Sequence, residues 1–107
     1  MKPTWVSECG TVRLWLGDCL EVMATWPDGA VDAVVTDPPY PSYMTEKYKY
    51  HDAILDPLDR FSCRQFVFWT PSKPFPLSYS GKRIWDKAVG TNTQYEEIYE
   101  RNNGSGY

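Results

Sequence analysis

The run Thr36-Asp37-Pro38-Pro39-Tyr40 sets a carboxylate, two rigid imide units and an aromatic plane side by side. Each proline fixes φ and lacks an N–H, so the stretch is stiff and its carbonyls face outward without backbone partners. Such a set suits a planar amine. One N–H of an exocyclic amino group can be accepted by the Asp37 carboxylate and the other by the Pro38 carbonyl, while the attached ring stacks on Tyr40. The same residues also make an ordinary strand-ending turn, since Asp and Pro are common turn formers.

Just downstream, Tyr43-Met44-Thr45-Glu46-Lys47-Tyr48-Lys49-Tyr50-His51 interleaves aromatics with bases. Lysine neutralises phosphate and tyrosine stacks on unpaired bases, which makes Tyr43, Lys47, Tyr48 and Lys49 candidate DNA contacts. A plain solvated loop has the same composition. His51 is the single histidine, and one histidine alone is more often a surface or hydrogen-bonded residue than a catalyst. Lys73, Lys82 and Lys87 are within the reach of a phosphate as well, although a charged rim is the commoner explanation.

The elements that would position these residues follow from periodicity and breakers. Residues 12–17 alternate large apolar and other side chains, which predicts a strand ending at Gly17-Asp18. Asp18 is placed to cap a helix over 19–26, with Leu20, Met23 and Ala24 on one face, and Pro27-Asp28-Gly29 ends it. Residues 31–36 read as a strand buried on both faces. Strand, helix and strand in this order predict a parallel βαβ unit. In an open α/β sheet, ligands bind beyond the carboxyl ends of the strands, which is where Asp37 would stand.

Residues 38–57 lack a usable period and read as a long surface loop. A helical turn capped by Asp59 should run through Arg64. Further strands are expected at 65–70, 83–87 and 94–99, with Phe68, Trp69 and Trp85 in the core. Pro71, Pro74 and Pro76 break regular structure between them. The strands at 12–17, 31–36, 65–69 and 83–87 are expected to share one sheet, parallel in its first pair.

Taken together these segments resemble the amino-methyltransferases of DNA, the N6-adenine and N4-cytosine enzymes of Asp-Pro-Pro-Tyr type. The stretch Leu16-Gly17-Asp18-Cys19-Leu20-Glu21-Val22, then Trp26-Pro27-Asp28-Gly29-Ala30-Val31-Asp32, then Val34-Val35-Thr36-Asp37-Pro38-Pro39-Tyr40 follows the bacterial and phage members in which this half comes first. Arg83-Ile84-Trp85-Asp86-Lys87 and Tyr95-Glu96-Glu97-Ile98 resemble later landmarks of the family.

The resemblance implies an α/β fold over residues 1–107: a partial, truncated Rossmann-like S-adenosylmethionine-dependent methyltransferase fold with a mainly parallel sheet. It implies that Asp37, Pro38, Pro39 and Tyr40 form the catalytic loop around a flipped base, and that Asp18 is the acidic residue near the cofactor adenosine. S-adenosylmethionine is then the cofactor, DNA the partner and restriction–modification the setting. Adenine is favoured over cytosine because the loop begins with Asp rather than Ser. A cytosine C5 enzyme would need a nucleophilic Cys after Pro, and Cys9, Cys19 and Cys63 all lack one before them. The family's Asp-Pro-Phe-x-Gly-x-Gly cofactor loop and its target-recognition region have no counterpart in these residues. The chain is therefore expected to be the catalytic-side half, completed by a second chain or by self-association. The alternative is a non-catalytic relative that binds DNA or a partner subunit.

Composition agrees with a single small domain. The chain has 107 residues, 42% hydrophobic and 23% charged, enough to bury a core and unlike a disordered or collagenous chain. No apolar run reaches the roughly 18 to 20 residues of a membrane span, and no signal-peptide stretch follows Met1, so the expected compartment is the cytoplasm. Three cysteines at irregular spacing fit neither a disulfide framework nor a metal site, and are expected to be reduced and partly buried. Net charge is -3, yet residues 41–90 carry eight bases against five acids, so the middle of the chain is its positive part.

Overall fold

The computed structural model describes residues 1–38, 52–88 and 94–102. Its elements are β1 (Trp5–Val6), β2 (Arg13–Leu14), α1 (Cys19–Ala24), β3 (Ala33–Thr36), a 3-10 helix (Asp52–Arg60), β4 (Arg64–Trp69), β5 (Gly81–Asp86) and β6 (Tyr95–Arg101). Strands β1 and β2 form an antiparallel ribbon of their own, and the other four make one sheet in the order β3-β4-β6-β5.

This sheet is mixed, and the expected mainly parallel, Rossmann-like architecture is not what the chain adopts. Among the described strands, only β3 and β4 pair in parallel, with Val34 opposite Gln65 and Thr36 opposite Val67. Strand β6 runs antiparallel to both of its neighbours, pairing Val67 with Tyr99 on one side and Lys82 with Tyr99 on the other. The reason lies in the connections. A parallel link needs a crossover of a dozen or more residues, usually a helix, whereas antiparallel strands join through a short turn. Only residues 87–94 separate β5 from β6, and the prolines at 71, 74 and 76 exclude a helix between β4 and β5. With one six-residue α-helix among the described residues, there is little to cover two faces of a parallel sheet.

The expected βαβ unit is also absent. Strand β2 turns back on β1 instead of joining β3: the Thr4 N–H donates to the Leu14 carbonyl at 2.7 Å and the Ser7 N–H to that of Val12 at 2.9 Å. The turn between them needs Gly10, whose φ of +75° lies in the left-handed region and whose N–H donates to the Ser7 carbonyl. Residues 12–17 thus contribute a two-residue strand to a ribbon, and Val12, Leu14 and Leu16 remain exposed.

The core lies on one face of the sheet. Side chains alternate along β4, so Gln65, Val67 and Trp69 are buried and point to the same side. Tyr99 joins them from β6, and Leu55 and Leu58 cover them from the 3-10 helix, with Phe75 and Leu77 packed at the margin. Leu55, Leu58 and Phe61 recur every third residue, the period of a 3-10 helix, and Pro57 inside the segment discourages a longer α-helix. The opposite face is open: Val35 is 71% exposed and Trp85 45%. Strand β3 is therefore not buried on both faces, and Trp85 is not a core residue. Phe68 is half-buried and packs edge-to-face on Trp85 at 5.9 Å. Among the described residues, no helix is long and apolar enough to cross a membrane.

Candidate functional site

Strand β3 ends at Thr36 opposite Val67, so Asp37 stands just beyond the carboxyl end of β3 and beside the last residues of β4. Asp37 is exposed while the following Pro38 is buried. The sequence thus anchors the loop by its first proline and presents the carboxylate outward. Both residues border a cavity of about 390 Å³. Its walls come from Cys19 and Met23 of α1, Val34 and Val35 of β3, and Leu55 and Leu58 of the 3-10 helix. The lining is chiefly aliphatic, with the Asp37 carboxylate and the Thr36 hydroxyl at one end, the usual composition of a small-molecule site.

A second cavity of about 260 Å³ adjoins the first, since Cys19 and Met23 line both. Its far side is aromatic: Trp15 and Trp26 meet edge-to-face with ring centroids 5.1 Å apart, and Arg13 lies at its rim. The two hollows flank the first turn of α1.

That turn is set by Asp18, which occupies the N-cap position with an extended backbone and accepts the Leu20 N–H at 2.8 Å. The cap satisfies one of the N–H groups that a helix start leaves without an internal partner. Asp18 therefore has a structural task, and it stands next to Cys19 where the two cavities meet. At the other end of α1, Arg60 of the 3-10 helix donates to the carbonyls of Met23 and Trp26 at 2.7 and 2.8 Å and lies 3.3 Å from Asp28. A cation on the last carbonyls of a helix is favourable both as a donor and against the helix dipole. Sequence reasoning missed Arg60, although a basic residue ending the segment that packs against a short helix is a fair signal for it.

The 3-10 wall of the cavity is fixed from below by a buried polar network. Gln65 donates to the carbonyls of Leu58 and Phe61 at 2.8 Å each. Its own carbonyl accepts from Arg101, which also donates to the Ser78 carbonyl at 2.7 Å and pairs with Asp59. Asp59 was expected to cap a helical turn; it lies inside the 3-10 helix and holds Arg101.

Of the residues singled out in the sequence, Asp37 and Pro38 line the larger cavity, whereas Asp18 lines neither cavity, although its neighbours Gly17 and Cys19 do. Pro39, Tyr40, Tyr43, Lys47, Tyr48, Lys49 and His51 lie outside the described residues. The three cysteines are free, but Cys9 and Cys19 are exposed rather than partly buried. The Cys9 thiol is lowered to about 7 by hydrogen bonds from Thr11, at 2.9 Å from its hydroxyl, and more weakly from Ser7. Lys73 and Lys82 belong to the other side of the chain from α1 in sequence and do not line either cavity.

Comparison with known proteins gives one short relationship. A 28-residue segment, 26% of this chain, is 67% identical to the Escherichia coli (strain K12) protein named "Putative methylase YubD" and spans 12% of that protein. The segment relates the chain to a methylase over that stretch alone. No family model matches the chain, and no solved structure matches it.

Proposed function

We propose that the Asp37 end of the larger cavity is a methyl-transfer site for an exocyclic amino group of DNA, adenine in preference to cytosine. The observation that supports this reading is the position of Asp37: an exposed residue followed by a buried proline, just past the carboxyl end of β3, on the rim of an aliphatic cavity. The methylase named above is the second support.

The donor group of such a reaction is S-adenosylmethionine, which when bound supplies a methyl on a cationic sulfur. The donor set is suitable for it. The Asp37 carboxylate would complement a sulfonium charge and aliphatic walls from Val34, Leu55 and Leu58 would exclude water, whereas Asp18 lines neither cavity and its carboxylate caps α1. The chain's own part is to prepare the nucleophile. An amino group conjugated to a base is a weak nucleophile, because its lone pair is delocalised into the ring. Accepting its two N–H groups at the Asp37 carboxylate and the Pro38 carbonyl localises that pair for attack. The Asp37 carboxylate would also take up the proton that the amino nitrogen sheds on methylation. The base must leave the helix stack to arrive there, at a cost of a few kcal/mol that Tyr40 offsets by stacking.

Tritiated methyl transfer to unmethylated DNA tests the reading. Asp37→Ala is expected to lower the rate a few hundredfold, the equivalent of about 3 to 4 kcal/mol for one lost preorganised acceptor. Tyr40→Ala is expected to weaken base retention by about 1 to 3 kcal/mol, and Tyr40→Phe to be mild. Undiminished transfer by Asp37→Ala refutes the mechanism. DNA binding without any transfer, by the chain alone and with a cofactor half supplied, places it instead among non-catalytic binding modules.

A further inference from the structure

Strand β5 ends the sheet among the described strands, and five of its six residues are exposed. The direction of its backbone groups can be read from the ladder. The Lys87 N–H donates to the carbonyl of Gln94 at 3.1 Å, one step beyond the Asp86–Tyr95 pair. In an antiparallel ladder, hydrogen-bonded and non-hydrogen-bonded pairs alternate. Gly81, Arg83 and Trp85 therefore direct their N–H and C=O groups toward β6, and Lys82, Ile84 and Asp86 direct theirs outward.

An open edge of this kind accepts another strand unless it is blunted, most often by lysine or another charge. Here two of the edge cations already have carboxylate partners within the chain. Lys82 lies 2.8 Å from the buried Glu97, and Arg83 pairs with the buried Glu100. Ile84, which follows them, is 57% exposed.

We propose that β5 is a homodimer interface at which a second copy of this chain adds its own β5 antiparallel, about a twofold axis through Ile84. The register follows from parity and charge. Outward-facing residues must meet outward-facing residues, so the axis has to pass through a residue and not between two. Centred on Ile84, the pairing sets Lys82 opposite Asp86 of the second copy, Arg83 opposite its Trp85, and Ile84 opposite Ile84. The dimer then sets a second carboxylate opposite each Lys82 and an aromatic ring opposite each Arg83, and the three outward residues of each chain exchange backbone hydrogen bonds. Centring on Arg83 would oppose Arg83 to itself, and centring on Trp85 would oppose Arg83 to Lys87. The symmetric Ile84 register is the one without a like-charge clash, as an isologous contact requires.

Sedimentation equilibrium of the full chain tests this. The wild type is expected to dimerise in the micromolar range. Ile84→Pro removes an N–H that faces the second copy and not β6, a position where an edge strand tolerates proline, and is expected to weaken dimerisation at least about tenfold while far-UV circular dichroism stays unchanged. Asp86→Lys sets lysine against Lys82 of the second copy and is expected to do the same, and it decides alone if Ile84→Pro disturbs the fold. A wild-type chain that remains monomeric through the micromolar range, or dimerisation unaltered by Asp86→Lys, overturns the proposal.

Discussion

Replacing Arg101 with methionine removes the cation at the centre of the polar network while keeping most of its apolar stem. Arg101 is 4% exposed and serves three acceptors: the Gln65 side-chain carbonyl, the Ser78 carbonyl and the Asp59 carboxylate. The first of these is fully buried and would be left unpaired, at about 1 to 3 kcal/mol. Asp59 is 62% exposed and regains water once Arg101 is gone, so the total falls at or just below the lower end of the roughly 3 to 5 kcal/mol typical of a broken buried pair. The expected loss is about 3 kcal/mol, a large share of the roughly 5 to 15 kcal/mol that holds a domain together. With a urea slope of about 1.5 kcal/mol/M, the unfolding midpoint would drop by about 2 M at constant slope. Far-UV circular dichroism and tryptophan fluorescence should report coincident transitions, because Trp69 sits in the same core. A double-mutant cycle with Gln65→Ala should return a coupling of about 1 kcal/mol or more. A loss under about 1 kcal/mol in Arg101→Met would refute the assignment of the network as the support of the cavity wall.

Asp18→Ala should cost about 1 kcal/mol of stability as a lost helix cap, whereas Asp18→Asn should keep that stability. If Asn at 18 also preserves cofactor affinity in titration calorimetry, the carboxylate's charge has no binding role. Cys9 should be alkylated by iodoacetamide with a rate that rises through a midpoint at about pH 7, since its thiolate is stabilised by the neighbouring hydroxyls. Thr11→Val should move that midpoint up toward an ordinary thiol, and a midpoint that stays in place would show that Thr11 is not the cause.

Element positions were legible because each rests on local chemistry. The Asp18 cap, the break at Pro27, the β-branched run through Thr36 and the aromatic run 65–69 all formed near where the residues predict. Pairing was not legible, because it depends on partners remote in sequence. Nothing within residues 12–17 says that they pair with Trp5–Val6 rather than with β3. The 3-10 helix was hidden because Pro57 and the charged residues around it break the helical and strand periods, although Leu55, Leu58 and Phe61 recur at a period of three. For the candidate site, Asp37 was singled out from residue type and its place after a strand, and the structure sets it on the rim of a cavity. That cavity could not be foreseen, since its walls come from three separate elements. The buried role of Gln65 and Arg101 was equally hidden: in sequence they are an ordinary surface-type pair 36 residues apart.

The central place of β6 has a temporal consequence. Of the strands in the four-stranded sheet, β6 is made last, yet it is the one that joins β4 to β5. A nascent chain emerging from the ribosome holds Val67 and Trp69 without Tyr99 beside them, and β5 without any strand to pair with, until residue 101 is clear of the exit tunnel. Short-range contacts alone cannot close this sheet, so folding waits on the most distant pairings, and the half-made sheet spends that interval with apolar strands uncovered. Chains stalled before residue 95 should accordingly be captured by chaperones, whereas those released after residue 102 should collapse in a single cooperative step.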